Sequence, residues 1–165
     1  MKKIIAFVII TMAVAFTAAN AQQLRIAVLP FDNSDGNMDY NIWSYKLQDS
    51  LYKELSIGDP DELNYRVVPI DSVEMVLAEL NLDPENPQYA SDLWKAIEIL
   101  GVDRVVTGNF KVKANRFLIN AYVYYVATKM PHPKFQARNI FKKEEDILSA
   151  VPFIHKKLRM AVIGN

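Results

Sequence analysis

The 165-residue sequence contains no cysteine, only two histidines and only five glycines. The absence of cysteine excludes a disulfide framework and the acylated N-terminal cysteine of a lipoprotein. Zinc sites are not expected either, because His132 and His155 are far apart and no HExxH motif or cysteine pair accompanies them. We interpret His132 as a loop residue and His155 as a boundary residue of a helix, and we predict no metal and no cofactor.

Sequence signatures of catalysis are also missing. No G-x-S-x-G motif occurs, and the serines have no obvious base nearby in the sequence. The stretch "DNSDGNMD" at 32–39 fails as a calcium loop, because Gly36 at the sixth place puts Phe31 and Ile42 at ligand positions. It also lacks the glycines and the lysine of a phosphate loop. We interpret it as a turn in which Asp39 caps the following helix, and we predict no catalytic residue and no enzyme.

The sequence has one long apolar run, Ile4 to Phe16, which is short for a membrane span of about 20 residues. Lys2 and Lys3 precede it, and Ala19-Asn20-Ala21 follows it as a small-x-small cleavage site. This pattern predicts a secretory signal peptide at 1–21, cleaved after Ala21, with an uncleaved membrane anchor as the alternative. We therefore expect residues 22–165 to form one exported, periplasmic domain without a transmembrane span.

Charge is segregated along the chain although the whole sequence is neutral. Residues 22–103 hold 5 basic and 16 acidic residues, whereas residues 104–165 hold 12 basic and 3 acidic residues. The two halves either neutralise each other across the folded surface or leave a basic face for a partner. Nucleic acid is disfavoured as that partner, because the chain is expected to be exported and its acidic half opposes phosphate.

Periodicity predicts the order β-α-β-α-α-β-β-β-α, an α/β (α+β) fold with a single mixed five-stranded sheet and about four helices packed mainly on one face. Leu24–Phe31 is apolar on both sides, which is typical of a central strand. The other predicted elements are a helix after Asp39, a strand at 65–68, a helix capped by Asp71, a helix at 88–100 closed by Gly101, strands at 104–113, 116–126 and 134–141, and a last helix capped by Ser149 and closed by Gly164.

The strands at 104–113 and 116–126 form a hairpin with a two-residue turn at Ala114-Asn115. Pairing Lys113 with Arg116 makes one face wholly apolar and places Gly108 opposite Ala121, where a helix could approach closely. The opposite face carries these polar and aromatic residues: Asn109, Lys111, Lys113, Arg116, Asn120, Tyr122 and Tyr124. Water or a partner must cover that face.

Several motifs together resemble the TolB N-terminal-like domain, which is also similar to domains in FlgO, CsgG and LpoB. They are "IAVLPF", "LQDSLYKEL", "AIEILGVDRVVTGNFK", "NRFLINAYVYYVAT" and the terminal amphipathic helix. The resemblance covers residues 22–165, and its most specific pieces are Val28–Phe31 and Leu100–Asp103 leading into Val106–Gly108. It implies a noncatalytic module of cell-envelope assembly or transport that binds other proteins. The chain departs from the family in lacking a β-propeller, an acylated cysteine and the long lipid-facing strands of a channel.

The sequence is compatible with three functional hypotheses. The first is a periplasmic adaptor whose envelope protein partner binds the outer face of the hairpin through Lys111, Lys113, Arg116, Tyr122 and Tyr124. Tyrosines are the stronger candidates, because tyrosine is enriched and lysine depleted in interfaces. The second is an envelope glycan or other polyanion binder that uses the basic residues of this face, associated with the outer membrane. The third is a small secreted hydrolase, which requires a cleft where an acid and a base converge. An ordinary solvated sheet face is the alternative to all three.

Overall fold

The computed structural model describes residues 23–82 and 89–164, which form a mixed seven-stranded sheet with four α-helices. The strands are β1 Leu24–Val28, β2 Asp32–Asn33, β3 Tyr65–Val67, β4 Arg104–Lys113, β5 Arg116–Tyr125, β6 Met130–Pro131 and β7 Ala137–Lys142. The helices are α1 Ile42–Gly58, α2 Ile70–Glu79, α3 Tyr89–Leu100 and α4 Val151–Ile163, with 3-10 helices at Met38–Tyr40 and Glu144–Ala150. The predicted signal peptide and its cleavage site lie outside the described residues, as do residues 83–88. None of the described helices is long and apolar enough to cross a membrane.

The strand order is β3-β1-β4-β5-β6, with β2 beside β4 and β7 beside β5. β1 is parallel to β3 and β4, whereas β5 is antiparallel to β4, β6 and β7. The mixed sheet and the helix order agree with the α+β prediction, but the predicted count of five strands is too low. The two missed strands, β2 and β6, have two residues each, and an alternating pattern cannot be read from two residues.

The helices cover both faces of the sheet, so the prediction that they lie mainly on one face is wrong. Helices α1 and α4 pack on one face, where Ile26 and Val28 of β1 are buried. Helices α2 and α3 pack on the other, where Ala27 and Leu29 are buried. Because β1 is apolar on both sides, each side needs its own cover, and a second helical layer follows from the strand's own sequence.

The hairpin has the predicted register, with Lys113 opposite Arg116 and Gly108 opposite Ala121. Ala114 and Asn115 have φ values of +51° and +56°. Positive φ at both turn residues is the type I′ conformation that matches the twist of the flanking strands. The turn therefore fixes which side chains of β4 and β5 share a face.

A phenylalanine ring, not a helix, lies against Gly108. A Cβ atom on Gly108 would stand 2.5 Å from Phe31 Cε1 and 2.0 Å from the carbonyl oxygen of Asn120. In addition, Thr107 Oγ1 donates a hydrogen bond of 2.9 Å to the carbonyl oxygen of Pro30. The two most specific pieces of the sequence resemblance, Val28–Phe31 and Val106–Gly108, thus touch each other in the fold.

The helices occupy the predicted segments, but three predicted caps are wrong. Asp39, Asp71 and Ser149 do not cap α1, α2 and α4, whose N-cap positions are Asn41, Pro69 and Ala150 without side-chain cap bonds. Helices α1 and α4 each follow a 3-10 helix, so the chain is already helical where a side-chain cap was expected. The C-terminal glycines agree with prediction, since Gly101 and Gly164 have φ values of +57° and +88°.

Candidate functional site

The outer hairpin face is the side of β4 and β5 that points away from α1 and α4. Because the register is as predicted, all five predicted partner-binding residues lie on this face. The structure divides them into two groups. Tyr122 and Tyr124 are half-buried, whereas Lys111, Lys113 and Arg116 are exposed at the turn end of the hairpin.

A groove lies beside the two tyrosines, where α3 covers only one end of the outer hairpin face. Its volume is about 250 Å³. Its described lining consists of Pro30, Asp32, Leu93, Trp94, Ile97, Val105, Thr107, Gly108, Asn109, Tyr122 and Tyr124. The groove therefore has an apolar, aromatic wall and a few polar groups at its margin.

Three aromatic rings form the wall of the groove. The rings of Trp94 and Tyr124 meet edge to face with centroids 6.3 Å apart, and those of Tyr122 and Tyr124 do so at 6.2 Å. Lys129 Nζ lies 5.5 Å from the Trp94 ring centroid and 3.4 Å from Glu98 Oε1. Edge-to-face packing and the lysine hold the rings in place before any partner arrives.

Polar side chains at the groove and beside it are held by hydrogen bonds within the protein. Asn120 Nδ2 donates to Asn109 Oδ1 at 2.9 Å, and Asn120 Oδ1 accepts from the backbone N–H of Asn139 at 2.9 Å. Thr107 is occupied by Pro30, as described above. Burial, together with neighbouring Tyr122, raises the pKa of Tyr124 above its ordinary value of 10.0, so the phenol stays neutral at physiological pH. The groove thus presents apolar surface and neutral hydrogen-bonding groups, with the carboxylate of Asp32 as the charged group of its described lining.

Trp94 lines the groove but is absent from the residues predicted from the sequence to bind a partner. It shares the apolar stripe of α3 with Ile97 and Leu100, which are buried, and such a position is typical of a core residue. Leu93 and Trp94 are only half-buried, because they lie where α3 overhangs the groove. In an amphipathic helix, the sequence pattern does not distinguish a tryptophan that lines a groove from one that is buried in the core.

The two histidines have local partners. Nδ1 of His132 accepts hydrogen bonds from the backbone N–H groups of Lys134 and Phe135, and burial with nearby Arg104 and Lys134 lowers its pKa. His155 Nδ1 lies 3.3 Å from Glu54 Oε1 between α4 and α1. Within residues 23–82 and 89–164, no group of three or more His, Cys, Asp or Glu side chains is placed to hold a metal ion.

Neither a protein-family model nor a curated protein matches this sequence. Solved structures do match. Lipoprotein GNA1162 from Neisseria meningitidis is 16% identical, with a TM-score of 0.56 over 82% of this chain and 96% of that one. E. coli LpoB, solved by NMR, is 12% identical with a TM-score of 0.52 over 81% and 65%. The LpoB C-terminal domain from Salmonella enterica is 12% identical with a TM-score of 0.50 over 76% and 87%.

These likenesses show a shared fold. At 12 to 16% identity the side chains that carry a function are not expected to be shared, so the function of these proteins does not transfer with their architecture. The LpoB-like part of the expected resemblance is confirmed at the level of the fold. Membership of a particular family within that fold stays a prediction.

Proposed function

We propose that the protein is a noncatalytic periplasmic binding module of the cell envelope, and that a partner protein docks on its outer hairpin face. The observation that carries this proposal is the aromatic groove of Trp94, Tyr122 and Tyr124. Tyrosine and tryptophan dominate the energetics of protein interfaces, because they bury a large area while losing few rotamers. Here the rings are already packed against one another, which lowers the entropic cost of binding.

The size of the groove favours a protein side chain over a free small molecule as its occupant. Small-molecule sites enclose roughly 300–1,000 Å³ and cover most of the ligand. This groove holds about 250 Å³ and is open to solvent along the sheet. An apolar side chain projecting from a partner surface fits such a groove, while the rest of the partner rests on the surrounding face.

The exposed cations add charge recognition to the apolar anchor. Lys111, Lys113 and Arg116 lie on the same face as the groove, and none of the ion pairs among the described residues includes them. A partner with carboxylates beside its apolar anchor would meet these cations. Such rim charges act mainly on the association rate and on the choice of partner.

The envelope location rests on two supports. The N-terminal residues have the pattern of a signal peptide, and the fold is shared with a lipoprotein and with LpoB. The sequence motifs favour the TolB N-terminal-like family within this fold. We therefore place the proposed module in envelope assembly or transport.

Polyanion binding is the second candidate function, and the cations at the turn end favour it, since they form no ion pair with any other residue that the structure describes. It makes a different prediction about salt. A glycan or other polyanion held by several cations should dissociate steeply as ionic strength rises, whereas a contact anchored by Tyr122 and Tyr124 should weaken little. The hydrolase hypothesis needs an acid and a base that face one pocket, and the described lining of the groove has Asp32 as its carboxylate and no histidine.

Site-specific photocrosslinking tests the proposal in intact cells. A photoreactive phenylalanine analogue at Tyr122 should crosslink one defined envelope protein, and the same analogue at Ile57 should not. Ile57 is 74% exposed on α1 and lies outside the groove, so it controls for random encounters. Crosslinking of the same protein from both positions, or of none from Tyr122, would remove the groove from consideration.

A further inference from the structure

Strand β7 has one neighbour in the part of the chain that the structure describes. It pairs with β5 alone, over Ala137–Lys142, and its other side is an open edge of the sheet. Open edges carry unpaired N–H and C=O groups and are places where another strand is able to add. This edge lies beyond β5 and is separate from the aromatic groove.

The register identifies the backbone groups that point outward. Lys113 and Arg116 flank a two-residue turn, so they form a hydrogen-bonded pair, and β5 bonds to β4 through its even-numbered residues. The odd-numbered residues of β5 therefore bond to β7. Phe141 lies opposite Leu118, which is even-numbered, so the N–H and C=O groups of Phe141 point toward the open edge.

The side chains along the edge itself are mainly basic or apolar, and the acidic residues Glu144, Glu145 and Asp146 lie beyond its end, where Glu145 pairs with Lys143. A shallow depression of about 310 Å³ runs along it, lined by Arg138, Asn139, Ile140, Lys142 and Phe153. Phe141 and Phe153 are 47% and 46% exposed, and Lys157 Nζ lies 5.4 Å from the Phe153 ring centroid. Among the described residues, Arg138 and Lys142 take part in no ion pair.

We propose that β7 is a second docking site, at which an extended acidic segment of a partner protein adds to the sheet as a further strand. Backbone hydrogen bonds to Phe141 supply the pairing, and carboxylates of the added strand face Arg138 and Lys142. The positive charge selects this occupant over a second copy of the same edge, because two such edges brought together would repel each other. This inference goes beyond the proposed function, since the groove and the edge are independent surfaces.

A pair of synthetic peptides tests the charge requirement. The probe is a fluorescein-labelled peptide of about ten residues that alternates Glu and Val, long enough to span the strand. Its control alternates Lys and Val, with the same strand tendency and the opposite charge. We expect fluorescence anisotropy to show binding of the acidic peptide only. Amide chemical shifts should change along β7 and not in the groove.

Substitutions at Phe141 test the backbone pairing. Phe141→Pro removes the outward N–H without removing a bond to β5, and proline is tolerated on edge strands. Phe141→Ala removes the same ring and keeps the N–H, so it is the matched control. We expect the proline variant to lose the acidic peptide and the alanine variant to retain it. Arg138 is exposed and Lys142 is half-exposed, so both can be replaced by glutamate without disturbing the core. The double variant should bind the acidic peptide about tenfold more weakly or worse.

Four results would overturn the inference. The first is failure of the acidic peptide to bind at millimolar concentration, and the second is equal binding of both peptides. The third is equal binding of the acidic peptide by the Phe141→Pro and Phe141→Ala variants. The fourth is binding of the native protein to anionic lipid vesicles but not to the acidic peptide. Tyr122→Ala with Tyr124→Ala should leave peptide binding unchanged. The docking site at β7 and the docking site at the aromatic groove are therefore tested independently of each other.

Discussion

Gly108 is the residue at which the two most specific sequence motifs meet. A methyl group there would stand 2.0 Å from a backbone carbonyl oxygen, which cannot move without shifting β5. We predict that Gly108→Ala lowers the free energy of unfolding by about 3 kcal/mol or more, measured by urea denaturation. Gly36→Ala is the control, because Gly36 has a positive φ but open space around it, and its cost should be about 1–2 kcal/mol of backbone strain. Equal losses would contradict the close packing at Gly108.

Asp59 links stability to pH. Its carboxylate accepts backbone N–H bonds from Leu63, Asn64 and Tyr65 at 3.2, 2.7 and 2.9 Å. Burial alone raises the pKa of Asp59, but these hydrogen bonds outweigh it, so the folded pKa lies below the ordinary 3.8. A depressed carboxyl pKa stabilises the fold above the unfolded pKa, and this contribution is lost as the pH falls through the folded value.

The Asp59→Asn variant should therefore be less stable than the native protein at neutral pH, by about 1–2 kcal/mol. The difference should shrink as the pH falls below about 3.8, where the carboxyl of the unfolded chain takes up a proton, and should be smallest below the folded pKa, where the folded carboxyl is protonated too. Urea denaturation of both proteins across that range measures it. A difference that stays constant with pH would show that the carboxylate charge is not what holds the loop.

At the scale of elements, Arg104 ties the sheet to the end of the last helix. Its guanidinium is buried and donates hydrogen bonds to the carbonyl oxygens of Ala161 and Val162, the latter at 2.9 Å. These are carbonyls of the last turn of α4, which lack partners within the helix. Burial lowers the pKa of Arg104, but the group stays charged and suits the negative end of the helix dipole.

We predict that Arg104→Leu lowers the free energy of unfolding by about 2–3 kcal/mol, because two carbonyls lose a charged donor. Arg116→Leu, a change of the same type at an exposed site of the neighbouring strand, should alter stability by about 0.5 kcal/mol or less. Thermal and urea unfolding of the two variants measure the contrast. If Arg104→Leu is as mild as the control, then α4 does not depend on this contact.

Sequence patterns predicted the secondary structure of each segment better than they predicted its tertiary contacts. The hairpin register followed from the turn at Ala114-Asn115, because a two-residue turn leaves one way to pair the strands. The helix caps did not follow, since 3-10 helices precede α1 and α4 and such short segments show no periodicity in the sequence. The second helical layer was implied by Ala27 and Leu29, but an apolar side chain does not reveal which helix will cover it.

At the scale of the whole molecule, the charge segregation of the sequence is kept in the order of the strands, although helices of the two halves pack together. The acidic half contributes β1, β2 and β3, whereas the basic half contributes β4, β5, β6 and β7, on the other side of the sheet. Two ion pairs among the described residues join the halves, Lys129 with Glu98 and His155 with Glu54. Direct pairing therefore leaves most cations of the basic half free to meet a partner.

This arrangement predicts retention on a cation-exchange column at neutral pH although residues 22–165 hold 17 basic and 19 acidic residues. Replacing Lys111, Lys113 and Arg116 by glutamate should shift elution to lower salt. Replacing Lys46, Lys53 and Lys95, which lie in the acidic half, by glutamate reverses the same number of charges and should shift the elution less. Equal shifts would mean that the protein has no localised basic end.

The candidate site was only partly predictable for a related reason. Alternation placed Tyr122 and Tyr124 on one face with the cations, and the structure agrees. The groove itself depends on how α3 crosses the sheet and where Trp94 overhangs it. That geometry arises between elements distant in sequence, so no local pattern records it.

The central claim is that Tyr122 and Tyr124 anchor a partner protein in the groove. Titration of the crosslinked partner, once purified, against native protein and against Tyr122→Ala with Tyr124→Ala tests this claim most directly. We predict a loss of affinity of about a hundredfold for the double variant. The control variant is Ile57→Ala with Leu63→Ala. These two apolar residues are 74% and 80% exposed and lie outside the groove, so this variant should bind like the native protein. Native affinity in the tyrosine variant, with its fold intact by circular dichroism, would contradict the account.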